Sequence, residues 1–596
     1  VVDPARAGLD RSVQNRVSCR RFGGGASMRP FARVLGCSLL LVLLVPSIAM
    51  AIVVDKKNGK WSLLGRLKLE ATFRTVDTPD NNPIPIEAGD LVTQRNLLFI
   101  EWRHDVGNIT SWLSFNYFLQ FRFFYDSAWD VGPDVLKDDA TRHYYLFDNQ
   151  DQIDDLKWDA DLFLGYFDLT GGPVFVRVGR QVMSWGEMTT LRILDGINPT
   201  DNTSLAVDLL ERLVPLFMVR VNLAFEYVGP FSSVSVEGYY VPGAIDNTNG
   251  EEIIQGSPII PPVGRNTIED LKDPLSLGSL MQLTQQLEDT YDADRYGVKL
   301  GLMFRGLETN FAYYRAYSDI PVPWLDIDGF APIYLTWPDI GNTIGNVING
   351  GSPFEPLLKG QKLDVILKVD KVDVYGGSFN YHWALIDTVI RGEFGLFKNV
   401  PKMTPGSVRD MIEGLGSKVY LPPPFDKVTL ADILRKVDLG DIEDEILPFT
   451  SGQLTTFDVL KYGLGLDKWT KVPYVSHDDV LFIFEYVGQH ILGYKENTIL
   501  QPWRGPNDEV IYEPEWSNTF LLIMTTNYLN GNLAPRLVTM YEIEPSALTL
   551  IPSITYDWRT LTFGVSYFQT FSKTYEGRLG MLESRNEISF SFAYSF

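Results

Sequence analysis

Hydrophobic and polar positions alternate with a period of two over stretches of about ten residues along most of the chain, the pattern of strands with one apolar and one wet face. Leu67, Leu69, Ala71 and Phe73 share one face of such a stretch, and Arg66, Lys68, Glu70, Thr72 and Arg74 share the other. Leu113, Phe115, Tyr117, Leu119, Phe121, Phe123 and Tyr125 alternate with Ser114, Asn116, Gln120 and Arg122. The last residues do the same, with Ile588, Phe590, Phe592, Tyr594 and Phe596 set against Ser589, Ser591, Ala593 and Ser595. A soluble β-sandwich also alternates, so no single stretch decides the class. The sum does: each backbone N–H or C=O unpaired in lipid costs several kcal/mol, so a membrane sheet must close on itself, and closure takes many strands of matched length.

The connections give the sheet a direction. Tight links are expected around Gly107-Asn108, Gly171-Gly172, Gly229-Pro230, Arg305-Gly306, Ile386-Asp387, Asn530-Gly531 and Trp558-Arg559. They alternate with long ones near 126–155, 185–215, 243–294, 319–360 and 495–514, as the short inner turns and long outer loops of a transmembrane barrel do. About seventeen stretches stand out, and a single-chain barrel with both termini on one side needs an even number. The stretch Val459 to Trp469 supplies the missing one. The expectation is an all-β, antiparallel transmembrane barrel of 18 strands, with 16 left open by the ambiguity of short apolar runs.

One segment has another period. Leu430, Ile433, Leu434, Val437, Ile442 and Ile446 recur at helical spacing among acidic residues, and Ser407 to Leu415 is similar. A loop near 399–450 is therefore expected to hold short amphipathic helices that plug or cover the mouth, with a mobile surface loop as the alternative. Its polar face has Asp and Glu where membrane-lying helices use Lys and Arg.

Charge narrows the partners. Against 75 Asp and Glu stand 52 Lys and Arg, a formal charge of −23 that argues against a nucleic-acid backbone as ligand. Met28, Arg29 and Arg33, the apolar run Val34 to Val45, and Ala49-Met50-Ala51 form a positive n-region, a short h-region and an A-x-A site. The expectation is a signal peptide over 28–51, cleaved after Ala51, and a barrel over 52–596. Residues 1–27 hold no Met and place Gly23, Gly24 and Gly25 just before Met28, so they are read as upstream sequence outside the natural start. Cys19 and Cys37 both fall in the discarded part, which removes disulfides, thiolate metal sites and cysteine nucleophiles from the exported chain. Export of a large acidic, aromatic-rich chain without cysteine points to the outer membrane of a Gram-negative cell, with outer-membrane lipids around it.

No G-x-S-x-G elbow, P-loop or H-E-x-x-H occurs, and His104, His143, His382, His477 and His490 are dispersed singly. An enzyme is not expected, nor a cofactor. His143 and His477, beside acidic residues in outer segments, would be the first to test for catalysis. Asp148, Asp151, Asp154 and Asp155, and Asp326 with Asp328, lack the full spaced Ca²⁺ motif and read as solvated acidic loops; no metal is expected.

Gly179-Arg180-Gln181, Trp185-Gly186-Glu187, Ile197-Asn198-Pro199 and the run Pro215 to Met218 form a scattered signature. With Arg295-Tyr296-Gly297, Glu485-Tyr486 and the ending Ala593-Tyr594-Ser595-Phe596, it resembles the family known as domain of unknown function 1302. The resemblance implies an outer-membrane barrel that moves lipids or other hydrophobic compounds together with an outer-membrane lipoprotein and an RND-type exporter. This chain departs from the pattern at 399–450, which is longer and more acidic, and at Phe484, where Gly is expected.

The residues have a physical reading of their own. Val174, Val176 and Val178 face lipid, which turns Arg177 and Gln181 inward and brings Arg180 and Trp185 near the rim. Glu187, Asp195 and Asp201 lie within pairing range of Arg177, Arg180 and Arg192, so a polar network bracing the wall is the simplest account and substrate contact the sharper one. With Arg66, Lys68, Glu70, Arg74, Arg122 and Asn198, these make up the candidate lumen site. Tyr594 and Phe596 form the expected signal for the barrel-assembly machinery. The function expected is a channel or transporter for hydrophobic or amphipathic, lipid-like solutes, because lumen arginines accompany loop aromatics such as Trp324, Tyr334, Trp337 and Trp503. The alternatives are a general aqueous porin and a non-conducting scaffold.

Overall fold

The computed structural model describes residues 52–54, 61–77, 86–133, 157–200, 212–245, 281–284, 294–318 and, interrupted in places, 322–596. The leader, His143, His477, Asp201 and both acidic groups considered for Ca²⁺ lie outside the described residues.

Eighteen antiparallel strands follow one another in chain order: β1 Trp61–Arg74, β2 Leu91–Asn108, β3 Ser114–Asp126, β4 Trp158–Gly171, β5 Val174–Gln181, β6 Leu216–Val228, β7 Phe231–Val241, β8 Arg295–Phe304 and β9 Leu307–Tyr317. The second half is β10 Lys371–Trp383, β11 Thr388–Lys402, β12 Thr455–Thr470, β13 Val480–Leu492, β14 Trp516–Thr525, β15 Leu533–Glu542, β16 Ala547–Trp558, β17 Leu561–Ser572 and β18 Glu587–Ser595. Each pairs with its neighbours, and β18 returns to β1 in the register Arg66↔Ser595 through Arg74↔Glu587, which closes the barrel. A three-residue strand, Ile52–Val54, adds to the start of β1 outside the ring. The barrel thus has the larger of the two strand numbers that the alternation left open, and Val459 to Trp469 lies within β12.

The start of β1, the end of β18 and the connections 172–173, 229–230, 305–306 and 559–560 lie at the short-turn end. The long connections, among them 182–215, 242–294, 318–370 and 403–454, leave from the other. Side chains alternate as the sequence requires. On β3, Phe121, Phe123 and Tyr125 point outward and are 39–44% exposed, while Phe118 and Arg122 point inward. Outward Trp102, Trp383 and Trp558 ring the short-turn end, and Tyr125, Trp158, Tyr240, Tyr375 and Trp516 ring the long-loop end. Such amphipathic rings suit the two borders of an apolar layer.

The long loops pair with one another. Val419–Tyr420 of the connection 403–454 pairs with Ile333–Tyr334 of 318–370, and Tyr334 stacks on Tyr420 at 5.1 Å. Within 403–454 the described helices are Val408–Ser417 and Leu430–Leu434, the second closed by a capping box between Thr429 and Asp432.

Candidate functional site

Residues 182–199, leaving β5, turn into the barrel and have no strand partner there. An irregular backbone in such a place needs other acceptors for its N–H groups. Three carboxylates supply them. Asp195 accepts from the amides of Trp185 at 2.6 Å and Gly186 at 2.7 Å and from the Ser184 hydroxyl at 2.9 Å. Glu393, inward on β11, accepts from Met188 at 2.7 Å, Leu194 at 3.2 Å and the amide of Glu187. Glu485, inward on β13 and fully buried, accepts from Thr189 at 2.6 Å and from Thr190 and Leu191 at 3.2 Å. Eight amides are satisfied in this way, by acceptors stronger than neutral carbonyls. Arg391 joins the anchors: it donates to Asp467 at 2.5 Å, Glu485 at 3.4 Å, the Thr189 hydroxyl at 2.7 Å and the carbonyl of Glu187.

The base of the insert is tied by Asn198. Its side-chain oxygen accepts from the Met183 amide at 2.8 Å, and its amide nitrogen donates to the carbonyls of Gln181 at 3.2 Å and Val214 at 2.9 Å.

Apolar packing fixes the other face. Met183, Trp185, Ile193, Leu194 and Ile197 are buried against inward Tyr239, Tyr314, Val374, Val459 and Ile491, a hydrophobic core inside the barrel. Leu191 packs on inward Ile483, Leu521 and Ile523. The wall is thinned where the insert presses on it: a Cβ on Gly376 would meet Leu194 at 2.4 Å, and one on Gly297 would come within 3.0 Å of Trp185. Trp185 also donates its indole N–H to Glu237 at 3.2 Å and sits edge-on to Tyr239 at 5.3 Å. The signature residues therefore meet in space: Trp185 against Gly297, and Thr189 to Leu191 on Glu485.

Arg177 makes a two-pronged pair with Asp168, at 2.7 and 2.9 Å, and Arg180 lies 3.6 Å from Asp161. These partners sit on β4, so cross-strand neighbours replace the Glu187, Asp195 and Asp201 expected from proximity along the chain. Of that expected set the structure brings together Arg192 and Asp195, at 3.7 Å. Trp185 is in the barrel interior, 2% exposed, and not at the rim. Gln181 is buried and donates to the carbonyls of Gly179 and Met218. Arg122 pairs with Asp159 and Asp161, Lys68 with Glu70 and Arg74 with Glu587. Arg66 is exposed opposite Ser595. Glu187 accepts from Asn310 at 3.4 Å and Asn380 at 3.3 Å, and burial, then the charge of Glu308, pushes its carboxyl up. Phe596 exchanges two backbone hydrogen bonds of 2.8 Å with Gly65 and stacks on Tyr594.

Glu393, Arg391 and Glu237 escaped the sequence reading, since on a strand they look like any inward polar residue; Glu485 was visible there only as part of a motif. His382 contacts Asp387 at 3.0 Å, His490 contacts Glu515 at 3.1 Å, and His104 lies 3.1 Å from the Tyr117 hydroxyl.

No curated protein matches the chain. A family model described as Protein of unknown function (DUF1302) matches residues 32–596. Among solved structures the chain is similar to a BenF-like porin from Pseudomonas fluorescens Pf-5, at 6% identity and a TM-score of 0.42, covering 90% of this chain and 98% of that one. It is also similar to OccAB4 of Acinetobacter baumannii, at 9% identity and a TM-score of 0.41, covering 91% and 100%. Salmonella typhi OmpF, in complex with daunomycin, aligns at 9% identity and a TM-score of 0.36, covering 92% and 100%.

Proposed function

The chain belongs to the DUF1302 family of proteins of unknown function, and on that premise we propose that it is an outer-membrane channel or transporter for hydrophobic or amphipathic solutes. One observation carries the reading: an insert with an apolar core of its own, held by Glu393 and Glu485, occupies part of a lumen that eighteen strands would otherwise leave wide. A freely conducting aqueous pore has no need of buried apolar packing in its interior. The outward apolar face and its two aromatic rings support a membrane location, and the A-x-A site supports export with cleavage after Ala51, which N-terminal sequencing of the exported protein tests.

Planar-bilayer recording tests the transport reading. Expected are small currents that apolar solutes block, and a several-fold larger, solute-insensitive current when residues 184–196 are replaced by a short Gly-Ser link. A wide conductance in the intact protein, indifferent to solutes, favours the general porin and sinks this reading. An outer-membrane lipoprotein and an RND-type exporter are the proposed partners on the periplasmic side, with the short turns as contact points. Photocrosslinkers placed at 229–230 and 305–306 test this, and products identical to those from an outward strand position would count against it.

A further inference from the structure

Pro552 stands near the middle of β16, outward and exposed, with a paired strand on each flank. A proline has no N–H to give a ladder and is ordinarily confined to sheet edges, strand starts or bulges. Its rungs with β15 are complete through Leu537↔Pro552, so its ring nitrogen is on the side of β17. There the pairing stops at Leu550↔Gln569 and resumes at Ser553↔Ser566 in the same register, and the two rungs between, 551 with 568 and 552 with 567, are unmade. The Tyr567 carbonyl loses the N–H that any other residue at 552 would offer it. Elsewhere in the described ring, rungs are skipped at a change of register or, between β6 and β7, beside the turn.

A wall in lipid is held by its ladder, because an unpaired backbone group there has no water to turn to. Between Leu550 and Ser553 the ladder holds it least. The interval is bounded on the long-loop side by a hydrogen bond of 2.9 Å between the Thr549 and Thr570 hydroxyls, and on the other by the opposed Ser553 and Ser566.

The inner face at this interval is apolar. Ile483↔Ile523, Ile523↔Val538 and Val538↔Ile551 are directly opposed pairs, and Phe568 stands opposite Ile551 across the skipped rung. The five side chains form one inward strip from β13 to β17. Leu191 of the insert packs on it, and Ile483, Ile523 and Val538 are buried, whereas Ile551 and Phe568 at the far end are half-exposed. On β18 the strip gives way to Glu587, which pairs with Arg74. Outward, the neighbouring side chains include Ile554 and Val565, both exposed. The uncovered end of an apolar strip inside, apolar side chains outside and missing rungs between them coincide at one place in the wall.

We infer that the interval between β16 and β17 is a lateral doorway through which linear hydrocarbon solutes pass between the lumen and the bilayer core. The three-residue interval is about 10 Å along the strand, a width that suits a slender alkyl chain. The inference rests on the channel reading above and adds a route through the wall to it.

Photolabelling from the membrane tests the doorway. The probe is a long-chain alkyl diazirine dissolved in the vesicles that hold the barrel, and labelled positions are read by mass spectrometry. Ile551 and Phe568 should be labelled at least fivefold more than Met303, an inward apolar residue on β8 that is itself exposed. Pro552→Val, which supplies the missing N–H, should lower labelling of Ile551 and Phe568 at least threefold and leave outward Ile554 as it was. Residues 52–596 contain no cysteine, so Ser553→Cys with Ser566→Cys places the one pair that can bridge, at directly opposed positions within disulfide reach. Oxidation of that pair should lower the labelling as the valine does, and reduction should restore it in the same protein, which a folding defect would not allow. Labelling of Ile551 and Phe568 no higher than of Met303, or unchanged by the valine and by the oxidised pair alike, overturns the doorway. Either result leaves the channel reading standing if apolar solutes still block the bilayer current, whereas a solute-indifferent wide current fails that reading whatever the labelling gives.

Discussion

Glu485 accepts the backbone amide of Thr189 at 2.6 Å, a bond between a strand's inner face and an irregular segment 296 residues earlier. Because Arg391 shares the same carboxylate, the pair stands at the centre of the insert's anchorage. Glu485→Gln keeps the shape and removes the charge that three amides and a guanidinium share, a loss of about 2–3 kcal/mol in docking. The expected result is an unchanged barrel by heat-modified mobility, with noisier single-channel currents and proteolytic cleavage appearing between 182 and 199. Currents and cleavage identical to those of the parent would disprove the anchoring role.

Trp185 is the largest apolar group of the insert, and its indole also satisfies Glu237. Trp185→Ala should cost about 3–5 kcal/mol in insert docking by leaving a cavity and an acid short of a partner. Conductance is the readout, expected to rise towards that of the insert-deleted protein. Trp185→Phe, which keeps most of the packing, should fall between.

Glu187 gives the insert a pH dependence. Its carboxyl is raised by burial and by Glu308, so the neutral form is favoured in the docked state. The contribution of this group to docking is fully present below the ordinary carboxylate range and is lost as pH rises through the raised value. Current noise should therefore fall on acidification through that window, and Glu187→Gln should be quiet at neutral pH and flat across it. A Gln variant that retains the parent's pH profile would assign the titration elsewhere.

Glu513 behaves oppositely. Burial pushes its carboxyl up, but Lys402, 2.7 Å from both oxygens, and Arg578 outweigh it, and the net is below the ordinary range. With Gln489 donating to Glu513 and Arg578 donating to Gln489, the group ties the connections 493–515 and 573–586 together at the long-loop end. Its stabilisation is present above the ordinary carboxylate range and is lost as pH falls through the lowered value. Glu513→Gln should loosen both connections at neutral pH, seen as faster amide hydrogen exchange there, while the parent resembles it in strong acid alone.

At the seam, Phe596 forms the last rung of β18 against β1. Removing it takes away two backbone bonds and a stacked ring at the closure point. Folded yield in the membrane fraction should drop several-fold, with Phe596→Tyr near normal. Normal yield after the deletion would remove Phe596 from any role in barrel assembly.

The barrel was legible in the sequence because its rule is local. Leu113 to Tyr125 reads as a membrane strand from its own alternation, and Gly229-Pro230 or Arg305-Gly306 reads as a turn from its own chemistry. The insert obeys no such rule. Residues 182–199 have neither period, and their order comes from Glu393 and Glu485, which alternation marks as inward and nothing more. The motifs Trp185-Gly186-Glu187, Arg295-Tyr296-Gly297 and Glu485-Tyr486 were visible as fragments, but that Trp185 rests on Gly297 while Glu485 holds Thr189 appears only when β8 and β13 are wrapped around the same interior. Likewise Asp168 and Glu187 lie at nearly equal distances from Arg177 along the chain, on either side of it, and only the antiparallel register decides for Asp168.

The span between anchor and anchored also sets a timetable. Amides at 187–191 wait for Glu393 and Glu485, 206 and 296 positions downstream, so no fragment of the chain ending before β13 holds all the acceptors of its own insert. Ordering so distant a contact costs loop-closure entropy that only an already curved wall offsets. The interior must therefore be furnished last: an unfinished cylinder is open, and the narrowing arrives with its completion.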